Sequence, residues 1–168
     1  GGEYTVRPIH PDDAQMLQNL MGHLSPANRY FRFISSMVEL PPSMLARFTL
    51  IDYDREMALV AVFKERRSGT NGEILETGRI VGVSRYVTNP DQSSCEFALV
   101  VADDFSGKGL GSRLMLSIMD VARDKGLSEI EGLVLTQNPA MLKLMKSMGY
   151  TIKPFAEDPD FKLVTYSL

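Results

Sequence analysis

Asp103-Asp104-Phe105-Ser106-Gly107-Lys108-Gly109-Leu110-Gly111-Ser112 joins the strand-like run Ser94–Ala102 to a long helical segment, Gly109–Lys125. Leu110, Leu114, Ile118, Val121 and Ala122 recur at helical spacing, and Gly126 stops the helix. The closely spaced glycines let successive backbone N–H groups turn inward as a nest for an anion. The helix behind adds unbonded N–H groups and the positive end of its dipole. Such a loop suits a pyrophosphate; the plain alternative is a glycine-rich turn that only starts a helix. Two other glycine signatures do not fit. A P-loop requires Lys followed by Ser or Thr, whereas Gly109 follows Lys108 and Ala102 holds the first-glycine position. The dinucleotide fingerprint is Gly-x-Gly-x-x-Gly, whereas the spacing here is Gly107-x-Gly109-x-Gly111.

Upstream, Gly78–Thr88 reads as a strand, joined to Ser94–Ala102 by the turn Asn89-Pro90-Asp91. Met57–Phe63 is a continuous apolar run and a buried strand, and the polar, glycine-bearing Lys64–Gly72 reads as a hairpin loop. Tyr4–Pro8 is a short strand. Pro11-Asp12-Asp13 opens a helix with an acidic first turn, carrying Leu17, Leu20, Met21 and Leu24 at helical spacing. Further helices are expected after Ser25 and over Met44–Leu50, behind Pro41-Pro42-Ser43. Downstream come a strand at Ile130–Leu135, a helix capped by Asn138-Pro139 and ended by Gly149, and strands at Tyr150–Lys153 and Lys162–Tyr166. The order predicts an α/β domain with a mixed sheet.

A length of 168 residues suits one domain, 3–168, with Gly1-Gly2 resembling a cloning remnant of an excised piece. The net charge of −3 argues against a nucleic-acid binder, which needs a basic face. Cys95 is the sole cysteine, and His10 and His23 lack partners at metal-ligand spacing, so neither an internal disulfide nor a metal is expected. No apolar run approaches the roughly 18 residues of a membrane helix, and no signal peptide is visible. The expected compartment is cytoplasmic.

The glycine loop, together with Asn138 and the Gly149-Tyr150 pair eleven residues later, resembles the GNAT acetyltransferases. Their hallmark is Gln/Arg-x-x-Gly-x-Gly/Ala at the head of the helix after the fourth strand. Ser106-Gly107-Lys108-Gly109-Leu110-Gly111 keeps its glycines, with serine in the first position. Coverage runs from Tyr4 to the C-terminus. Leu24–Phe33 and Ile51–Ala58 further resemble the bacterial Pat-type protein lysine acetyltransferases, whose acetyltransferase domain is commonly fused to a large acyl-CoA-synthetase-like region. The resemblance implies a mostly antiparallel sheet of about seven strands, flanked by helices and splayed at a central acetyl-CoA cleft. It implies that Leu99, Val100 and Val101 line the pantetheine arm and that Ser106, Gly107, Lys108, Gly109, Leu110, Gly111 and Ser112 hold the pyrophosphate, with Asn138 and Met141 completing the cofactor site.

An acceptor lysine, with an unperturbed pKa near 10.4, arrives protonated, and only its neutral amine attacks a thioester. Glu96 is the candidate base. Strand alternation puts it on one face with Ala98 and Val100, where partial desolvation should raise its proton affinity. The resemblance also implies a glutamate base in this strand. The structural alternatives are a solvent-facing glutamate or one held by an arginine such as Arg85. Many relatives place a tyrosine seven residues after the asparagine as an acid for the leaving thiolate; here that residue is Met145. Water then protonates the thiolate, or it departs unaided. Cys95, next to Glu96, is an acyl carrier or a small core residue; alternation turns it to the opposite sheet face, which favours core. Lys108 and Arg113 either meet CoA phosphates or are solvated, and Asp52, Asp54, Arg55 and Glu56 either order the acceptor site or cap a strand.

These readings converge on direct, metal-free acetyl transfer from acetyl-CoA to a lysine of a protein such as an AMP-forming acyl-CoA synthetase. The alternatives are a non-catalytic acyl-CoA-binding regulatory module and an acetyltransferase for a small amine such as a polyamine or aminoglycoside.

Overall fold

A computed structural model describes residues 3–23, 55–105 and 109–168. The helices expected after Ser25 and over Met44–Leu50, the Leu24–Phe33 motif, residues 51–54, and Ser106, Gly107 and Lys108 lie outside them. In chain order the described elements are β1 (Glu3–Pro8), a 3-10 turn (Pro11–Asp13), α1 (Ala14–His23), β2 (Glu56–Ser68), β3 (Ile74–Thr88), β4 (Ser94–Val101), a second 3-10 turn (Asp103–Phe105), α2 (Leu110–Asp124), β5 (Glu129–Leu135), α3 (Pro139–Ser147), β6 (Thr151–Pro154) and β7 (Phe161–Ser167).

The strands form one seven-stranded sheet in the order β1-β2-β3-β4-β5-β7-β6. β4 and β5 pair in parallel, and every other neighbouring pair is antiparallel. Helices cover both faces. The apolar stripe of α2, Leu110, Leu114, Met115, Ile118, Met119 and Ala122, is fully buried against β2, β3 and β4. Each leucine, isoleucine or methionine of the stripe contributes about 1.5–3 kcal/mol by leaving water, and Ala122 less. Ser84 Oγ donates to the Leu114 carbonyl at 3.1 Å, which pins α2 to β3.

That contact also fixes the faces of β4. Leu99 pairs with Ser84, so Leu99, and by alternation Cys95, Phe97 and Val101, face α2. Glu96, Ala98 and Val100 point to the opposite face. α1 packs on that face: a Cβ placed on Gly78 would meet Val62 at 3.5 Å and Met16 of α1 at 4.0 Å. Leu17, Leu20 and Met21 bury the inner side of α1.

One expectation needs correction. Lys64–Gly72 is not all loop: β2 continues to Ser68, β3 begins at Ile74, and Gly69 N–H closes the turn on the Glu73 carbonyl at 2.6 Å. The outer ribbon carries exposed Lys64, Ser68, Ile74 and Thr77, so it needs no alternating apolar face to declare itself. Backbone pairing sustains it where polarity suggested a loop.

Candidate active site

The parallel pair at the centre of the sheet is short. β4 and β5 are registered only over Ser94–Glu96 and Glu129–Glu131. Beyond that point β4 stays on β3 as far as Val101, while β5 stays on β7 as far as Leu135. The two halves of the sheet therefore part at Glu96. The stretch Phe97–Val101 is left with one edge outside any strand ladder, a length of about 13 Å at four strand rises. Buried backbone groups require partners, and an extended amide-bearing chain laid in the cleft would supply them. Leu99, Val100 and Val101 lie on this edge.

The apex of the splay is packed by an aromatic group. The Phe97 ring lies over Gly132, so closely that a Cβ there would fall 2.5 Å from its Cε1. Tyr150 meets Phe97 edge-on at 5.8 Å, and Tyr166 stacks tilted on Tyr150 at 5.2 Å. The Tyr150 hydroxyl is buried with no hydrogen bond among the described residues, and burial pushes its pKa well above the ordinary tyrosine value. It is a core residue. Met145 is fully buried and offers no proton to the cleft.

At the mouth of the cleft, Gly109 caps α2 in the left-handed conformation, φ +83°, which only glycine adopts without strain. The amides of Leu110, Gly111 and Ser112 belong to the first turn and have no intrahelical acceptor. Gly111 serves packing as well: a Cβ would sit 3.2 Å from Leu144 of α3. Asn138 caps α3, its Oδ1 accepting from Met141 N–H at 3.2 Å. Its carbonyl is thus engaged in the helix end on the far side of the cleft. The Arg113 guanidinium lies over the Tyr4 ring at 5.0 Å. A helix N-terminus of this kind suits an anion, and an open strand edge suits an extended amide-bearing chain.

Glu96 stands where the strands part, on the α1 face, with Oε1 buried. Register places Glu56, Val87, Glu96 and Glu131 in one row across β2–β5. Arg85, opposite Ala98 and Ala58 on the same face, lies diagonally between Glu56 and Glu96. Glu56 and Arg85 are 5% and 4% exposed, burial that charged side chains rarely show. The sequence had named both residues with weaker roles, because neither their register nor their burial is written in local pattern. Cys95 projects from the other face; burial, with a smaller contribution from the Glu131 charge, pushes its thiol up to about 12, leaving a neutral thiol with little nucleophilic character. A cavity of about 500 Å³ opens between Asn19 and Leu20 of α1 and Ala102–Asp104. Ala102 is six residues, about 20 Å, along the chain from Glu96, which does not line the cavity.

A sheet parted between parallel central strands, with a glycine-headed helix at its mouth, forms an open central cleft. The chain belongs to the acetyltransferase (GNAT) family, whose pattern it matches over residues 35–150. It is 34% identical to the acetyltransferase PA5475 of Pseudomonas aeruginosa over 160 residues, 95% of this chain and 80% of that protein. It is 31% identical to the acetyltransferase Pat of Mycolicibacterium smegmatis over 149 residues, 89% of this chain, and spans 41% of Pat's length. The GNAT domain of S. lividans PAT shares its fold with a TM-score of 0.82 at 27% identity, covering 100% of this chain and 92% of that domain. The chain is accordingly an acetyltransferase enzyme, and the family's donor is acetyl-CoA. No helix among the described residues is long and apolar enough to cross a membrane.

Proposed function

We propose that this chain transfers the acetyl group of acetyl-CoA directly to a lysine side chain of a protein, with Glu96 as general base and an AMP-forming acyl-CoA synthetase as the acceptor. The observation that carries the catalytic part is the position of Glu96, a partly shielded carboxylate at the point where β4 and β5 diverge. When bound, acetyl-CoA supplies an acetyl group activated as a thioester. The amides of Leu110–Ser112 orient its phosphate end, and the open edge of Phe97–Val101 orients the pantetheine arm. That holding brings amine and thioester to attack distance, which supplies much of the rate. Glu96 takes the proton that the lysine ammonium must lose.

The protein acceptor rests on likeness to Pat, together with the Leu24–Phe33 and Ile51–Ala58 motifs. A fused acyl-CoA-synthetase-like region in the complete protein and a cytoplasmic site of action belong to the same reading. Incubation with labelled acetyl-CoA and a purified AMP-forming acyl-CoA synthetase, beside spermidine and an aminoglycoside, tests it. Label should enter one synthetase lysine, weaken as salt rises, and spare both small amines. Efficient labelling of either amine with none on the synthetase would leave the acetyltransferase assignment standing and reject the protein acceptor. Donor binding with no transfer to any acceptor would favour a regulatory binding module.

A further inference from the structure

Tyr4, Phe63 and Arg79 form one row across β1, β2 and β3, Tyr4 opposite Phe63 and Phe63 opposite Arg79. Residues paired in this way project from the same face of a sheet. Arg113 of α2 lies over Tyr4, so that face is the α2 face. Each member of the row touches a border of the glycine loop. Arg79 donates from Nη2 to Asp104 Oδ2, and its guanidinium lies 5.3 Å from the centre of the Phe105 ring. Phe105 also meets Phe63 edge-on at 5.1 Å. Asp104 and Phe105 lead into the loop; Arg113, whose N–H donates to the Gly109 carbonyl at 3.1 Å, leads out of it. Three strands that make no part of the cleft therefore grip both ends of the loop, across about two strand spacings, or 10 Å.

The chemistry of the grip is unusual for a fold contact. The Arg79–Asp104 pair is solvent-accessible, 40% and 59% exposed, and pairs of that kind add little to global stability. Yet Arg79 buries its Nε, and Phe105 is held from two sides, by an aromatic edge and by a cation. These contacts fix direction more than they add stability. What they direct is the turn Asp103–Phe105, the last described residues before the glycine loop.

We propose that the Tyr4–Phe63–Arg79 row presets the phosphate-binding loop, and that Arg79 is a positioning residue for the nucleotide end of the donor. The proposal rests on the reading that the 106–112 loop holds the pyrophosphate. It assigns to β1–β3 a part in donor recognition that no contact in the cleft reveals.

The test compares two donors, acetyl-CoA and S-acetyl-pantetheine, which carries the same thioester without phosphates or adenosine. For Arg79→Ala, KM for acetyl-CoA should rise about tenfold, as expected when about one tenfold step of loop order is lost, while kcat at saturating acetyl-CoA holds within about twofold. The rate with S-acetyl-pantetheine should match wild type, which also shows that the variant is folded. Arg79→Lys, which keeps the pair with Asp104, should recover part of the KM. The exchange Arg79→Asp with Asp104→Arg should recover more than either single change. Equal losses on both donors, or none on acetyl-CoA, would overturn the proposal. An exchange variant as weak as the singles would do so too, since it would mean that Arg79 itself touches the phosphates. Gly109→Asp is the control for the loop: if it weakens acetyl-CoA binding while Arg79→Ala does not, the row is wrong and the loop reading stands. If neither weakens binding, the loop reading fails first.

Discussion

At Asp13 both carboxylate oxygens are engaged. Oδ1 and Oδ2 accept from the two terminal nitrogens of Arg7, each at 2.8 Å, and Oδ2 also accepts from His10 N–H at 2.8 Å. These bonds, Arg7 first, hold the Asp13 carboxyl below its ordinary value against the opposing effect of burial. A folded-state pKa lowered in this way adds stability above the unfolded value near 3.9, and that stability is lost as pH falls through the folded-state value. Arg7 keeps 31% of its side chain in solvent, which screens the pair. Asp13→Asn should therefore cost about 1–2 kcal/mol at pH 7 and progressively less below about pH 4. Urea unfolding at pH 7 and pH 3 measures the gap, and an equal gap at both would contradict the assignment. The sequence marked Asp13 only as an acidic first-turn residue, because its partner lies six residues back on a strand whose direction local pattern does not give. Cys95 was more legible: alternation from Glu96 was enough to turn it into the core, and its neutral thiol there follows from burial.

Among the elements, α2 and α3 were readable within a residue or two, since each carries an apolar stripe, a glycine or asparagine cap and a glycine stop. The long β2–β3 ribbon was not, because its described outer side chains, among them Lys64, Ser68, Ile74 and Thr77, are exposed and mark no core face. That Leu99–Val101 parts from Ile130–Leu135 was implied by the family resemblance, but the pair at which it does so, Glu96–Glu131, depends on a register only the folded sheet fixes. The nearest local sign of it is Gly132, the residue that makes room for Phe97. Gly132→Ala would drive a methyl group to 2.5 Å from an aromatic ring already held edge-on by Tyr150. Overpacking of that kind costs about 1–3 kcal/mol. The variant should unfold at lower temperature and, because Phe97 shapes the apex of the splay, should raise KM for acetyl-CoA. A variant with unchanged melting and unchanged KM would mean that the ring shifts freely and does not set the cleft.

Across the whole molecule, the sheet works as two halves joined by three residue pairs, Ser94–Glu129, Cys95–Ile130 and Glu96–Glu131. The β1–β4 half carries Glu96, the proposed base, and the row proposed to preset the glycine loop; the β5–β7 half and α3 lie across the splay. Acetyl transfer requires both halves to address one thioester, and Glu96 sits on the last pair before they separate. The most direct measurement is steady-state turnover of Glu96→Gln beside wild type, with acetyl-CoA affinity taken by calorimetry on the same preparations. Glutamine keeps the shape and cannot accept the proton, so turnover should fall by about 10²–10⁴-fold, the usual worth of a positioned base, while acetyl-CoA affinity stays within about threefold. Equal turnover of the two proteins would remove Glu96 from the reaction and contradict the account.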